Sequence, residues 1–272
     1  MQPDVRALLC YGSPQGDLVA GGHDRSVAKT GRYRGAGGVI ITNGLTHGLA
    51  LVAQALAQPG DRVLVEQPTY LGFLNLLKAY RLEPIGVPLD EEGPQLELLE
   101  QMALQYRPRF FYTIPSYQNP TGLCVGVERR QALRLRAERH GIVLVEDDIY
   151  ARLSYNGEAP PALKQYDQSG VVVYVTSESK ALFPGLRIGV VVAPRPLHER
   201  ILTLRRFSPT CAGHTCYSAL CPLCPAQGAA PPPAPGLPYL PPPPGCHANG
   251  PAPHHASRRH LERSRLAATV SG

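Results

Sequence analysis

Long apolar runs are missing from this sequence of 272 residues. No stretch approaches the roughly 18 uninterrupted apolar residues that a membrane-spanning helix needs, which excludes an integral membrane protein. The first nine residues carry Asp4 and Arg6 and no apolar block, so a secretory leader is not expected. Cysteine is scarce where a disulfide framework would need it: before residue 211 there are only Cys10 and Cys124, far apart. A reducing, cytoplasmic setting follows as the expectation. Charge of one sign is scarce too. Residues 1–207 hold 23 Lys and Arg against 20 Asp and Glu, a balance that gives neither nucleic acid nor a membrane surface anything to grip.

Proline and cysteine are present in quantity but unevenly. Beyond residue 207 lie 14 of the 29 prolines and five of the seven cysteines, with runs at Pro231 to Pro233 and Pro241 to Pro244. Almost nothing aliphatic accompanies them from Pro222 to Pro253, so this tail cannot bury enough surface to offset its ordering entropy and is expected to be disordered. Cys221 and Cys224 form one Cys-x-x-Cys pair without a second at zinc-finger spacing, so no metal site is assigned. The proline runs could serve polyproline-binding modules, a generic property. At the other end, residues 20–38 show neither helical nor strand periodicity and read as an unusually long loop.

Between these flanks the pattern alternates. Val39 to Thr42, Arg62 to Val65, Phe110 to Ile114, Ile142 to Val145, Val171 to Thr176 and Gly189 to Ala193 read as strands, and Pro84 to Pro88 as an extended piece. Leu45, Leu49, Val52, Ala53 and Leu56 form a stripe at helical spacing, stopped by Pro59-Gly60-Asp61. Tyr70 to Tyr80, Leu96 to Tyr106 and Glu128 to His140 are three more helices. Such alternation predicts an α/β fold: a three-layer sandwich around a mostly parallel sheet.

In sheets of this kind polar chemistry gathers beyond the strand ends. There the chain places Asn43-Gly44-Leu45-Thr46, then Ser116 to Gly122, then Glu146 to Tyr150, then Thr176 to Lys180 followed by Arg187. An amine, carboxylates, phenols, an amide, hydroxyls and a guanidinium suit an anionic, aromatic, carbonyl-bearing ligand. Taken singly, each piece has an ordinary use. Asn119-Pro120-Thr121-Gly122 is a turn sequence. Asp147 and Asp148 can cap a loop. Tyr70 can be core. Lys180 can be a solvated edge charge. Their order and spacing together are what set them apart.

The constellation resembles the fold-type I, class I/II aminotransferases that use pyridoxal 5′-phosphate, in the branch of the aminoadipate-type transaminases and the aminotransferase half of certain bacterial regulators. The likeness covers residues 39–207, the large cofactor-binding domain of that family. It implies a catalytic role for Lys180, which would hold the cofactor covalently and later move a proton between substrate and cofactor. Asp147 would pair with the pyridinium nitrogen, Tyr150 and Asn119 would donate to the phenolate oxygen, and Tyr70 would stack on the ring. Ser177, Ser179 and Arg187 would form the phosphate cup with the turn at Gly44, Leu45 and Thr46. Tyr11 would reach the phosphate of a neighbouring subunit. The physical demands agree: a lysine able to be neutral, which burial beside cations favours, a ring nitrogen held protonated, and helix amides for the phosphate.

The resemblance implies a cytoplasmic homodimer that moves an amino group between an L-amino acid and a 2-oxo acid, with 2-aminoadipate-like or broad specificity. It also implies a small domain, for which residues 1–38 and 208–272 supply no match. The expected organisation is therefore a degenerate arm over 1–38, the cofactor domain over 39–207 and a Pro/Cys-rich tail over 208–272, an incomplete copy with flanks read out of frame or decayed. Two alternatives stand beside a working transaminase: an inactive relative that still binds cofactor, and a C–S lyase or decarboxylase on the same cofactor.

Overall fold

Eight strands form one mixed sheet. The computed structural model describes residues 38–154, 159–181 and 184–207, which all fall in one compact unit. Tyr11, the rest of residues 1–37, and the tail at 208–272 lie outside the described residues. In chain order the elements are β1 (Gly38–Asn43), α1 (Gly44–Leu56), β2 (Arg62–Gln67), α2 (Leu71–Ala79), β3 (Glu83–Asp90), β4 (Gly93–Pro94), α3 (Leu96–Tyr106), β5 (Phe110–Thr113), α4 (Val127–Arg139), β6 (Val143–Asp147), β7 (Val172–Ser177), β8 (Ile188–Ala193) and α5 (Arg195–Arg206).

The centre of the sheet is parallel, through the β3–β2, β2–β5, β5–β6 and β6–β7 pairings. Strand β8 runs against both β7 and β1, and β4 against β3. The sheet is thus mixed, as expected. Because β1 and the parallel strands all point the same way, the segments that follow β1, β2, β5, β6 and β7 open on one edge.

Alternation along the strands builds the two faces. Val63, Val65, Phe110, Tyr112, Val145, Val173 and Val175 face one way and bury against α1, α2 and α5 through Leu49, Val52, Phe73, Leu77 and Ile201. Leu64, Phe111, Leu144 and Val172 face the other way, against Leu96 and Leu99 of α3 and Leu133 and Ala137 of α4. This is the three-layer sandwich. Each such side chain, fully buried, contributes about 1.5–3 kcal/mol.

The structure moves several boundaries. Gly38 is the first residue of β1, paired with Ala193, rather than the last of a loop. Strand β6 runs on through Asp147 and β7 through Ser177. Helix α5 was not read from the sequence. Its buried Ile201 and Leu202 sit among arginines, and Pro196 falls in its first turn, where a missing N–H costs nothing. Among the described residues no helix is long and apolar enough to cross a membrane.

Candidate active site

A cavity of about 180 Å³ opens on the edge where the parallel strands end, lined by Leu45, Tyr70, Ile114, Asn119, Asp147, Ile149, Tyr150 and Lys180. Every one of these follows or ends a strand, so the sheet itself brings together side chains far apart in sequence. Six of the residues singled out from the sequence, Leu45, Tyr70, Asn119, Asp147, Tyr150 and Lys180, meet here.

Asp147 ends β6 and is 1% exposed. Its Oδ2 accepts a 2.7 Å hydrogen bond from the Tyr112 hydroxyl, and its Oδ1 accepts from the Ile149 amide at 3.2 Å. Burial pushes its carboxyl up to about 7, against the pull of those two donors, and Asp148 and Glu66 add repulsion. Among the described residues Asp147 forms no ion pair. A buried carboxylate at the cavity that is paired with no cation among the described residues suits a ligand that brings one.

Asn119 Nδ2 donates to the Tyr150 hydroxyl at 3.1 Å, so both polar tips share one wall of the cavity. Burial raises the Tyr150 pKa, and the bond from Asn119 lowers it in part. The loop carrying Asn119 is braced by Arg130 of α4, which is 0% exposed. Its guanidinium donates to the carbonyls of Val125 (2.8 Å) and Pro115 (2.7 Å) and to Ser116 Oγ (3.1 Å). The Tyr70 ring folds back over its own chain: a Cβ built on Gly72 would lie 2.3 Å from Tyr70 Cζ.

The phosphate-cup candidates sit at the neighbouring corner. Register places Asn43 opposite Ile188 and Ser177 opposite Gly189. The Ser177 hydroxyl donates to the Ile188 carbonyl at 2.6 Å and lies 2.9 Å from Ser179 Oγ. Gly44 opens α1 with φ +77°, and a Cβ there would lie 2.6 Å from Arg187 Nη2. Arg187 Nη2 also reaches the Asn43 carbonyl at 3.4 Å. Asn43 makes no side-chain cap, so the first amides of α1, at Gly44, Leu45 and Thr46, are left for an anion. The Arg187 guanidinium, exposed, stands over that helix start.

Lys180 lines the cavity from an exposed turn. Burial does not surround it, unlike the expectation from its chemistry. Strand β7 ends at Ser177, and Lys180 follows in the turn after it, one residue past the buried Ser179. Tyr11 lies outside the described residues.

Three further side chains matter that the sequence reading missed. Tyr112 holds Asp147 and is itself held by Phe73, whose ring stacks on it at 3.9 Å between centroids. Glu66 is 1% exposed at the end of β2 and bonds to the loop before Asn119. Arg152 pairs with Glu178, which ties the segment after Asp147 to the segment before Lys180. The signal for Tyr112 was available: it shares a face with Phe110 by alternation and carries a polar tip in an apolar strand.

The family model for aminotransferase class I and II matches residues 22–227. Aromatic-amino-acid aminotransferase 1 of Thermococcus litoralis is 37% identical over 160 residues, covering 57% of this chain and 38% of that protein. The 2-aminoadipate transaminase of Thermus thermophilus is 41% identical over 168 residues, covering 60% of this chain and 42% of its own. Among solved structures, the α-aminoadipate aminotransferase LysN of Thermus thermophilus, complexed with N-(5′-phosphopyridoxyl)-L-leucine, superposes with a TM-score of 0.72 at 28% identity, covering 81% of this chain and 57% of that one. The chain spans less than half the length of these curated relatives.

Proposed function

Because this chain belongs to the class I and II aminotransferases, we propose that its cavity holds pyridoxal 5′-phosphate and that it moves an amino group between an L-amino acid and a 2-oxo acid. The observation that carries this reading is the convergence of Lys180, Asp147, Tyr70 and the Asn119–Tyr150 pair on one cavity. The donor set fits the group. Asp147 offers a buried carboxylate that is in no ion pair among the described residues, the phenol and amide offer donors, and the start of α1 with Arg187 offers an anion cradle.

Bound there, pyridoxal 5′-phosphate supplies an electron sink for the charge left on a substrate Cα when its proton is removed. Asp147 keeps the ring nitrogen protonated, a task for which a buried carboxylate beside a cation is suited. Asn119 and Tyr150 would hold the ring through its phenolate oxygen. Tyr70 would cover one ring face. Ser177, Ser179, Arg187 and the Gly44–Thr46 amides hold the phosphate by charge-assisted bonds. Lys180 would hold the cofactor through Nζ, and its free amine would serve as the base for the substrate Cα proton.

The relatives' names support amino donors of the aromatic or 2-aminoadipate kind, and a 2-oxo acid acceptor is part of the proposal. A cytoplasmic homodimer is part of the same reading. The test is an assay of the purified chain with pyridoxal 5′-phosphate, a panel of L-amino acids and 2-oxoglutarate, scoring glutamate formed. Cofactor-dependent glutamate that disappears in Lys180→Ala supports the reading. Release of a thiol or carbon dioxide instead would assign the lyase or decarboxylase alternative, and bound cofactor without turnover would assign the inactive binder.

A further inference from the structure

Glu66 stands outside every role assigned so far, yet three donors meet its carboxylate near the cavity. It ends an apolar strand and is 1% exposed. Its Oε1 accepts from Thr113 Oγ1 at 2.5 Å and from the Ile114 amide at 3.2 Å. Its Oε2 accepts from Gln118 Nε2 at 3.0 Å. Gln118 is 2% exposed and carries the contact onward. The same Nε2 donates to the Pro68 carbonyl at 2.8 Å, and Gln118 Oε1 accepts from the Thr121 amide (3.0 Å) and the Thr121 hydroxyl (2.7 Å). The turn closes through Gly122 N to the Gln118 carbonyl at 2.6 Å and Gln118 N to the Leu123 carbonyl at 2.8 Å. Asn119 lies inside this turn, and its amide meets Tyr150 at the cavity wall.

We infer that Glu66 is a positioning residue: acting through Gln118, it fixes the turn 118–122 so that Asn119 presents its amide beside Tyr150 to the cofactor ring. The inference rests on the cofactor reading above. Its chemistry is a matter of counting donors. Three donors converge on the two carboxylate oxygens of Glu66, and an isosteric amide has one oxygen. Glu66→Gln therefore sets its own N–H₂ against one of those donors, and a buried polar group left facing its like is costly. Gln118 then loses the contact that fixes which way its amide points, and Thr121 loses its acceptor. The burial that drives the Glu66 carboxyl up to about 7 is opposed by these same donors, from Thr113, Gln118 and Ile114.

The test has two arms on the full chain. In the first, amide hydrogen exchange of the cofactor-free protein is followed for residues 117–123 and, as a control, for β6. Glu66→Gln is expected to speed exchange in the turn by about tenfold while β6 stays within about threefold, a local opening rather than global unfolding. In the second, pyridoxal 5′-phosphate is titrated into the wild type, Glu66→Gln, Gln118→Ala and the double variant. Each single change is expected to weaken binding about tenfold, and the double variant no more than about twofold further, because the two residues act in one line. Unchanged exchange in the turn overturns the inference, and so does a double variant whose loss is the product of the two single losses. A wild-type chain that binds no cofactor overturns the cofactor reading, while the exchange arm still decides whether Glu66 holds the turn.

Discussion

Tyr112 donates its hydroxyl proton to Asp147 across 2.7 Å, from β5 to the adjacent parallel strand β6. Both residues are buried, at 0% and 1% exposed. The bond fixes the carboxylate in the floor of the cavity and leaves its charge to be met from above. Burial, the charge of Asp147 and the hydrogen bond to it hold the Tyr112 phenol well above its usual range, so it remains the donor at any physiological pH. The stack against Phe73 fixes the ring in turn.

Removing that donor alone is the cleanest perturbation. Tyr112→Phe keeps the stacked ring and takes away one of the two bonds to Asp147. We expect a loss of about 1–3 kcal/mol in unfolding free energy, the usual cost of stranding a buried acceptor, together with weaker binding of pyridoxal 5′-phosphate. Urea unfolding and a cofactor titration read the two effects. Wild-type stability in this variant would mean that the bond carries no weight.

Stability should also depend on pH in a definite direction. The carboxyls of Glu66 and Asp147 stand near 7 in the folded chain, against ordinary values of 4.5 and 3.8, with burial the main cause in both. Between about pH 4 and 7 the native chain keeps protons that the unfolded chain releases, so their contribution is full below the unfolded values and is lost as pH rises through about 7. The cofactor-free chain is expected to lose unfolding free energy from pH 5 to 8, with a shallower slope in Asp147→Asn. Parallel slopes in the two proteins would refute the assignment.

Gly44 bears the anion cradle, and its φ of +77° favours glycine. Gly44→Ala adds the strain of a left-handed alanine, about 1–2 kcal/mol, and places a methyl 2.6 Å from Arg187 Nη2. The guanidinium must leave the helix start. Binding of pyridoxal 5′-phosphate is expected to fall by about tenfold or more, since charge-assisted phosphate bonds are among the strong ones. Pyridoxal, which lacks the phosphate, is expected to lose little. Equal losses for both compounds would move the phosphate elsewhere.

Arg130 is a structural counterpart. It is wholly buried and satisfies the carbonyls of Pro115 and Val125, the two ends of the segment that carries Asn119. Arg130→Met is expected to destabilise the chain by about 1–3 kcal/mol, since the Val125 carbonyl loses its donor and the Pro115 carbonyl keeps only the Val125 amide. Thermal unfolding reads the loss, and an unchanged midpoint would show that the loop holds itself.

Much of this was legible in the sequence because strand ends are. Continuous apolar runs gave the positions of β5 to β8, and the polar residues just past them gave the cavity wall. Asp147, Tyr150 and Asn119 could be named from order and spacing before their contacts were known. Glu66 was not, although a carboxylate closing an apolar strand just before Pro68 and Tyr70 was a readable sign. Its partners, Thr113 and Gln118, come from another strand and the loop beyond it, and only β2–β5 pairing brings them together. Helix α5 was missed because its apolar stripe is thin among arginines, and packing against α1 and β1 supplies what periodicity did not. The exposure of Lys180 depends on where β7 stops, and strand boundaries are the feature that pattern reading locates least well.

The central claim is that Lys180 carries the cofactor in the cavity shared by Asp147, Tyr70, Asn119 and Tyr150. The most direct measurement treats the purified chain with pyridoxal 5′-phosphate, reduces it with borohydride and maps the modified peptide by mass spectrometry, beside Lys180→Ala. The expected result is one pyridoxyl group on Lys180, absent from the variant, with a visible absorption band that is lost in parallel. Label spread over surface lysines at equal yield in both proteins would contradict the claim.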